Sequence, residues 1–163
     1  MFSLEIVTLA RLLIDEARER SLRIVTAESC TGGLVAGAIC SVAGASDVFE
    51  RGFVAYTNRA KQELLGVPGD LIADLGAVSE PVARMMAEGA LENSNAHLAV
   101  SVTGIAGPGG GTPMKPVGTV HIATARSNQA LMHKAELFDG ETREEIQLAA
   151  VQSALQALRD RIS

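Results

Sequence analysis

Aromatic side chains are nearly absent from this 163-residue sequence, which has no tryptophan, one tyrosine and four phenylalanines. Hydrophobic residues nevertheless make up 47% of the chain. A core of this composition must be built mainly from alanine, valine, leucine and isoleucine, as is common in layered α/β packing. The length suits one ordinary domain, and we predict a single domain over residues 1–163.

Cysteine is also scarce, since the chain contains only Cys30 and Cys40. They lie ten residues apart, in a stretch with the pattern of one helix, without a C-x-x-C spacing or an accompanying group of histidines. Structural zinc sites and disulfide frameworks need such groupings. We therefore expect two free thiols, a reducing compartment, and neither a metal site nor a cofactor.

Long apolar runs and an excess of positive charge are missing as well. No run approaches the roughly 18 to 20 residues that a membrane span requires. The 14 lysines and arginines are outnumbered by 19 acidic residues, which gives a net charge of −5, and the basic residues are scattered. The composition therefore predicts a cytoplasmic protein that binds neither nucleic acid nor membranes.

The apolar residues that are present alternate between helical and strand spacing along the chain. Five helices are predicted, over residues 2–20, up to Cys40, over 58–65, over 79–93 and from the capping box of Thr142 and Glu145 onward. Five strands are predicted over residues 22–27, 52–56, 97–103, 117–125 and 131–137, the last two joined as a hairpin. We expect an α/β fold, a three-layer α/β/α sandwich around a mixed, mostly parallel five-stranded sheet.

Three polar or glycine-rich segments follow predicted strands, where ligands of layered α/β proteins collect. The first covers residues 26–33, with the sequence TAESCTGG. Its Ser29 either caps the next helix or acts as a nucleophile, and a nucleophilic serine needs a base nearby. The three histidines, His97, His121 and His133, lie in or beside predicted strands and in no motif with an acid. A Ser-His-Asp triad therefore has little support.

The second segment, residues 53–61, places Tyr56 at a strand end and Lys61 about one turn into the next helix. Lys61 is the best available base. A lysine can accept a proton near neutral pH only when its ammonium is partly desolvated and lies near other cations, since both lower its pKa. Arg59 and Arg143 are candidates for such a cation, and the alternative is a solvated lysine on an amphipathic helix.

The third segment, residues 101–112, has the sequence SVTGIAGPGGGT. It matches neither the nucleoside triphosphate loop nor the dinucleotide fingerprint. Glycines after a strand still let backbone amides approach an anion closely. A surface loop without a ligand is the alternative.

Four separated segments resemble, in the same order, the C-terminal domain family of the competence/damage-inducible protein CinA: residues 26–33, 50–56, 76–81 and 103–108. The resemblance extends over residues 4–160. It implies a nicotinamide-nucleotide amidase, which hydrolyses nicotinamide mononucleotide to nicotinic acid mononucleotide and ammonia. It also implies a three-layer fold, no metal requirement and assembly as a homo-oligomer.

By the same resemblance, Ser29 is the nucleophile, Lys61 the base that activates it, and Tyr56 a close neighbour of both. We expect the substrate to be bound by Thr31, Gly32, Gly33, Thr103, Gly104, Gly107 and Arg143. The amides near Ser29 would hold the oxyanion, and the glycine loop with Arg143 would hold the phosphate. Two alternatives stay open: a non-catalytic nucleotide-binding module, and a hydrolase that acts on another amide or on a phosphate ester.

Overall fold

The structure, a computed structural model, describes all 163 residues and contains five strands and six α-helices. The strands are β1 (Ile24–Glu28), β2 (Phe49–Val54), β3 (Leu98–Gly104), β4 (Thr119–Arg126) and β5 (Met132–Leu137). The helices are α1 (Leu4–Glu19), α2 (Leu34–Cys40), α3 (Asn58–Leu65), α4 (Gly69–Leu75), α5 (Glu80–Glu92) and α6 (Arg143–Arg159). All ten predicted elements are present. None of the helices is long and apolar enough to cross a membrane.

One mixed sheet with the strand order β2-β1-β3-β4-β5 organises the fold. Strand β1 pairs in parallel with both β2 and β3, whereas β4 is antiparallel to both of its neighbours. Four of the five strands therefore run in the same direction, which confirms the prediction of a mixed, mostly parallel sheet. The carboxyl ends of β1, β2 and β3 lie together at one edge, where loops can form a site.

Helices cover both faces of the sheet, as predicted. The apolar side chains of α1, α2 and α6 pack on one face, against strand residues such as Ile24 and Val100. The apolar side chains of α3, α4 and α5 pack on the other face, against the alternate strand residues such as Val25 and Ala99. No aromatic side chain is among the fully buried ones. The core consists mostly of alanine, valine, leucine and isoleucine, as the composition predicts.

Helical spacing predicts that α6 buries the side chains of Ile146, Ala149, Ala150, Ser153, Ala157 and Leu158, and this prediction is partly wrong. Ile146, Ala150 and Leu158 are buried as expected, whereas Ala149, Ser153 and Ala157 are only half-buried. The buried face instead includes Val151, Ala154 and Leu155. Helix α6 packs on the sheet and also against α1 and α2, so its buried face is set by two other helices that its own sequence does not reveal.

Two further differences concern short elements. Cys30 and Cys40 do not share one helix, because α2 begins only at Leu34 and Cys30 lies in the turn before it. Both thiols are free, as expected. Helix α4 has no counterpart among the predicted elements, because it is seven residues long and begins with a glycine, and only Ile72 in it is buried.

A backbone contact between α5 and α3 fixes the helix that carries Lys61. A Cβ atom added to Gly89 of α5 would lie 1.9 Å from the carbonyl oxygen of Leu65, the last residue of α3. Only glycine allows the two helices to approach this closely. The position of α3 therefore depends on the missing side chain of Gly89.

We predict that Gly89→Ala lowers the free energy of unfolding by about 1 to 3 kcal/mol, the usual cost of overpacking. The matched control is Gly37→Ala in α2, where the added Cβ would lie 3.7 Å from Phe2 Cζ, an ordinary contact. Alanine favours a helix by up to about 1 kcal/mol over glycine, so the control should not lose stability. Urea unfolding measures both variants, and equal effects would contradict the close packing at Gly89.

Candidate active site

The carboxyl ends of β1, β2 and β3 surround a cavity of about 270 Å³. Its wall is formed by the turn after β1, the loop between β2 and α3, residues 77–78, the end of β3 with the glycine-rich loop that follows, and the start of α6. Lys61 and Arg143 are the basic side chains in this wall, the Arg143 guanidinium is positively charged, and no carboxylate lines the cavity. The charge of the cavity therefore favours an anionic ligand.

Ser29 and Lys61 meet at the bottom of this wall. The Nζ atom of Lys61 lies 3.0 Å from Ser29 Oγ and donates a second hydrogen bond to the Tyr56 carbonyl oxygen at 3.2 Å. The side chain of Lys61 is among the largest fully buried ones, at 2% exposure. The structure thus brings together the two residues that the sequence singles out as nucleophile and base.

Local sequence explains why Lys61 points inward. Thr57 begins α3 by accepting a hydrogen bond from the Ala60 amide at 3.0 Å, and Gly66 ends the helix in a left-handed conformation. Between these caps, Lys61 and Leu65 are four residues apart, and both lie on the buried face of the helix.

Burial lowers the pKa of the Lys61 ammonium below its ordinary value of 10.5. The neighbouring cation that is expected from the sequence in addition to burial does not contribute, because burial alone lowers the pKa of Lys61. Arg59 instead forms an exposed ion pair with Glu63 at 2.6 Å. A lysine with a lowered pKa can take the proton of a serine hydroxyl, the usual way of activating this weak nucleophile.

The turn after β1 holds Ser29 through its own backbone. The Ser29 amide donates to the Val102 carbonyl at 2.9 Å, and the Ser29 carbonyl accepts from the Gly32 amide at 3.0 Å. The amide of Cys30 donates to no other residue of the chain, and Cys30 lines the cavity. The residue after Ser29 thus has an N–H donor at the cavity wall without a partner in another residue.

The expected substrate contacts divide into two groups. Thr103, Gly104, Gly107 and Arg143 line the cavity together with Ser29, Tyr56 and Lys61. Thr31, Gly32 and Gly33 do not line it. Thr31 is fully buried, and its hydroxyl donates to the Glu28 carboxylate at 2.7 Å.

The first turn of α6 joins three parts of the wall. Arg143 donates to the Gly107 carbonyl at 2.7 Å and to the Tyr56 hydroxyl at 2.6 Å. One helical turn later, Gln147 donates to the Cys30 carbonyl at 2.9 Å. The glycine-rich loop, the loop after β2 and the turn after β1 are therefore held by the same helix.

The glycine-rich loop presents unpaired backbone donors to the cavity. The amides of Ala106, Gly107, Gly109 and Gly110 donate to no group of the chain, and these residues line the cavity. Gly107 and Gly110 have positive φ values of 78° and 87°. Runs of amides that include left-handed residues form concave sites for anions.

Several residues in the cavity wall or bonded to it escape the sequence interpretation. Gln147 lies four residues after Arg143 and hence on the same helix face, which is a usable signal. Ala77 accepts a hydrogen bond from the Thr103 hydroxyl at 2.9 Å and lies in the segment 76–81 that carries part of the resemblance. Asn58 lines the cavity without any local signal in the sequence.

The three histidines lie outside the cavity wall. His97 Nδ1 accepts from the Arg23 amide at 2.9 Å, a structural contact. His121 Nδ1 and His133 Nε2 lie 2.9 Å apart between β4 and β5. The cavity therefore contains no histidine that could act as a base for Ser29.

Searches of known proteins identify similar chains over nearly the whole sequence. The family model of the CinA C-terminal domain matches residues 6–162. A CinA-like protein of Akkermansia muciniphila is 58% identical over 118 residues, 72% of this chain and 28% of that protein. A CinA-like protein of Syntrophobacter fumaroxidans is 47% identical over 147 residues, 90% of this chain and 34% of that protein. The chain thus spans about a third or less of the length of these curated relatives.

Solved structures match the entire fold. The competence/damage inducible protein CihA from Agrobacterium tumefaciens superposes with a TM-score of 0.96 at 49% identity, covering 98% of this chain and 97% of that one. A protein of the competence-damaged protein (CinA) superfamily from Escherichia coli superposes with a TM-score of 0.90 at 35% identity, covering 98% and 92%.

The burial of Cys30 predicts that its thiol is unreactive in the folded protein. Burial raises the pKa of its thiol to about 12, so the thiol stays protonated and unreactive at neutral pH. We predict that a thiol reagent labels only the exposed Cys40 in the folded protein, and that Cys40→Ala is labelled only after unfolding. Rapid labelling of Cys30 in folded Cys40→Ala would contradict this.

Proposed function

The chain belongs to the CinA C-terminal domain family, and we propose that it is an amidohydrolase that removes the carboxamide nitrogen of nicotinamide mononucleotide. The proposal rests on one observation above the others, the 3.0 Å approach of the buried Lys61 amine to the Ser29 hydroxyl. This pair resembles the Ser/Lys pair of the nicotinamide-nucleotide amidases. The substrate would be a phosphate-bearing mononucleotide, and the products nicotinic acid mononucleotide and ammonia.

In the first half of the reaction, neutral Lys61 takes the Ser29 proton while Oγ attacks the carboxamide carbon. The carbonyl oxygen gains negative charge, and the N–H of Cys30, which has no partner in another residue, would bind it. Such a donor typically contributes about 3 kcal/mol to the transition state. Lys61 then returns its proton to the amide nitrogen, which leaves as ammonia, and the acyl group remains on Ser29.

In the second half, Lys61 takes a proton from a water molecule that attacks the acyl carbon. Lys61 then returns this proton to Ser29 Oγ as the ester bond breaks. The carboxylic acid product loses its proton to the solvent and leaves as the carboxylate, and the enzyme returns to its starting state. A single base thus serves both half-reactions.

The phosphate of the substrate would bind to the glycine-rich loop and Arg143. The amides of Ala106, Gly107, Gly109 and Gly110 have no partner within the chain. The guanidinium of Arg143 contacts this loop at Gly107. A cavity wall that contains the guanidinium of Arg143 and no carboxylate supports an anionic substrate over a neutral amide.

A non-catalytic nucleotide-binding module would leave the burial of Lys61 unexplained. Removing an ammonium from water without a carboxylate partner costs free energy, and the neighbours of Lys61 Nζ are a hydroxyl and a carbonyl. A phosphate-binding site gains more from an exposed lysine. The burial of Lys61 therefore favours catalysis.

We also propose that the protein is cytoplasmic and forms homo-oligomers. The free thiols Cys30 and Cys40 support a reducing compartment. Support for self-association comes from the family resemblance.

The decisive experiment measures ammonia released from nicotinamide mononucleotide by the purified protein. Ser29→Ala and Lys61→Met should each lose at least about 1,000-fold in kcat, because the nucleophile or its base is missing. Lys61→Arg should be equally inactive, since a guanidinium does not act as a base near neutral pH. The control is Arg59→Met, an exposed position in the same helix that should keep full activity.

Each other outcome of this experiment identifies an alternative. Equal release by wild type and Ser29→Ala would show a different nucleophile or a contaminant. Binding of the nucleotide without ammonia release would identify a binding module. Turnover of other amides or phosphate esters alone would identify a different hydrolase.

The pH dependence should report the lowered pKa of Lys61. Because only the neutral amine accepts a proton, kcat/KM should rise with pH and level off below pH 10.5. The folded protein also binds fewer protons than the unfolded chain in the range between the lowered pKa and 10.5, so its stability should rise with pH there. Lys61→Met should lose this dependence and be more stable than wild type at neutral pH. A wild-type profile that levels off only above pH 10.5 would contradict the assignment.

A further inference from the structure

A buried carboxylate immediately before the nucleophile has no part in the mechanism above. Glu28 is the last residue of β1, and its side chain is fully buried. Its Oε1 atom accepts hydrogen bonds from the Thr31 hydroxyl at 2.7 Å and the Val35 amide at 2.8 Å, and its Oε2 accepts from the Ala36 amide at 3.0 Å. No lysine or arginine is paired with it, so three neutral donors hold this carboxylate in place.

These contacts replace a missing helix cap. The N-cap of α2 is Gly33, which has no side chain and a positive φ of 102° that other residues rarely adopt. The amides of the second and third residues of a helix are those that a serine or aspartate cap normally binds. In α2 these residues are Val35 and Ala36, and the carboxylate of Glu28 binds both from outside the helix.

The same side chain also holds the turn that presents Ser29. Thr31 lies within this turn, and its bond to Glu28 connects the middle of the turn to both β1 and the first turn of α2. The carboxylate also lies at the positive end of α2, where a negative charge is stabilised by the unpaired amides of the helix. The helix end therefore helps to hold the turn.

We propose that Glu28 is a positioning residue, which holds the turn of residues 29–33 so that Ser29 Oγ stays within reach of Lys61 and the Cys30 amide stays free at the cavity. The inference relies on the proposed role of Ser29. Because Glu28 caps α2 from outside the helix, the cap position itself can be Gly33. Glycine in turn allows the tight turn that ends there. A displacement of about 1 Å in such a group can cost about 100-fold in rate.

The test compares Glu28→Gln with Ser3→Ala. Glutamine keeps the shape of glutamate, but its NH₂ group replaces one carboxylate oxygen. That NH₂ group then faces a donor from which the oxygen accepts a hydrogen bond in the wild-type protein. Ser3→Ala removes the cap of α1, where Ser3 Oγ accepts from the Ile6 amide, outside the cavity wall. Both substitutions should lower the unfolding midpoint, so the control separates loss of stability from loss of positioning.

The direct readout is the rate at which a fluorophosphonate labels Ser29. In this reaction the bond from Oγ to phosphorus forms, the bond from phosphorus to fluorine breaks, fluoride leaves, and Lys61 takes the serine proton. Glu28→Gln should slow labelling and lower kcat for the nucleotide by at least about tenfold, with KM unchanged within about twofold. Ser3→Ala should leave the labelling rate, kcat and KM unchanged.

Labelling and kcat at wild-type values in a less stable Glu28→Gln would overturn the inference, and so would a raised KM with unchanged kcat. If Glu28→Gln does not fold, Thr31→Val decides, because it removes one donor to Glu28 without changing the shape of the side chain. Slower labelling of Thr31→Val would support the inference, and an unchanged rate would overturn it. Failure of the probe to label wild-type Ser29 would instead overturn the proposed nucleophile.

Discussion

A lysine amine that is buried beside a serine, with only a hydroxyl and a carbonyl as partners, is the constraint on which this structure depends. Such a group loses hydration that its two hydrogen bonds only partly replace. The amine can stay in place only if α3 cannot move outward. The Thr57 cap fixes the start of that helix, and the backbone contact between Leu65 and Gly89 fixes its end.

The elements that could be predicted from the sequence are those with local chemical signals. The helix over 58–65 has a threonine cap and a terminal glycine, and α6 has the capping box of Thr142 and Glu145, which the structure contains. Strand ends and the buried face of α6 depend on partners from elsewhere in the chain. Periodicity therefore indicates that Leu155 belongs to a helix, whereas the packing of α1 and α2 determines that it is buried.

The site shows the same division between local and distant information. Ser29 and Lys61 can each be singled out by chemistry, but their meeting across 32 positions follows from the pairing of β1 with β2. The contact of Arg143 with Tyr56 spans 87 positions, and no local pattern in the sequence indicates it. Nothing in the segment 26–33 reveals that Thr31 turns away from the cavity toward Glu28, because that depends on where α2 begins.

The attachment of three cavity walls to the first turn of α6 bears on how the protein matures during synthesis. Helix α6 follows all five strands in the chain, so it leaves the ribosome after the sheet residues have been made. Until it docks, Arg143 cannot contact Tyr56 and Gly107, and Gln147 cannot contact Cys30. A nascent chain with its serine and lysine already paired still lacks an assembled cavity, so the candidate site is complete only when this helix has docked.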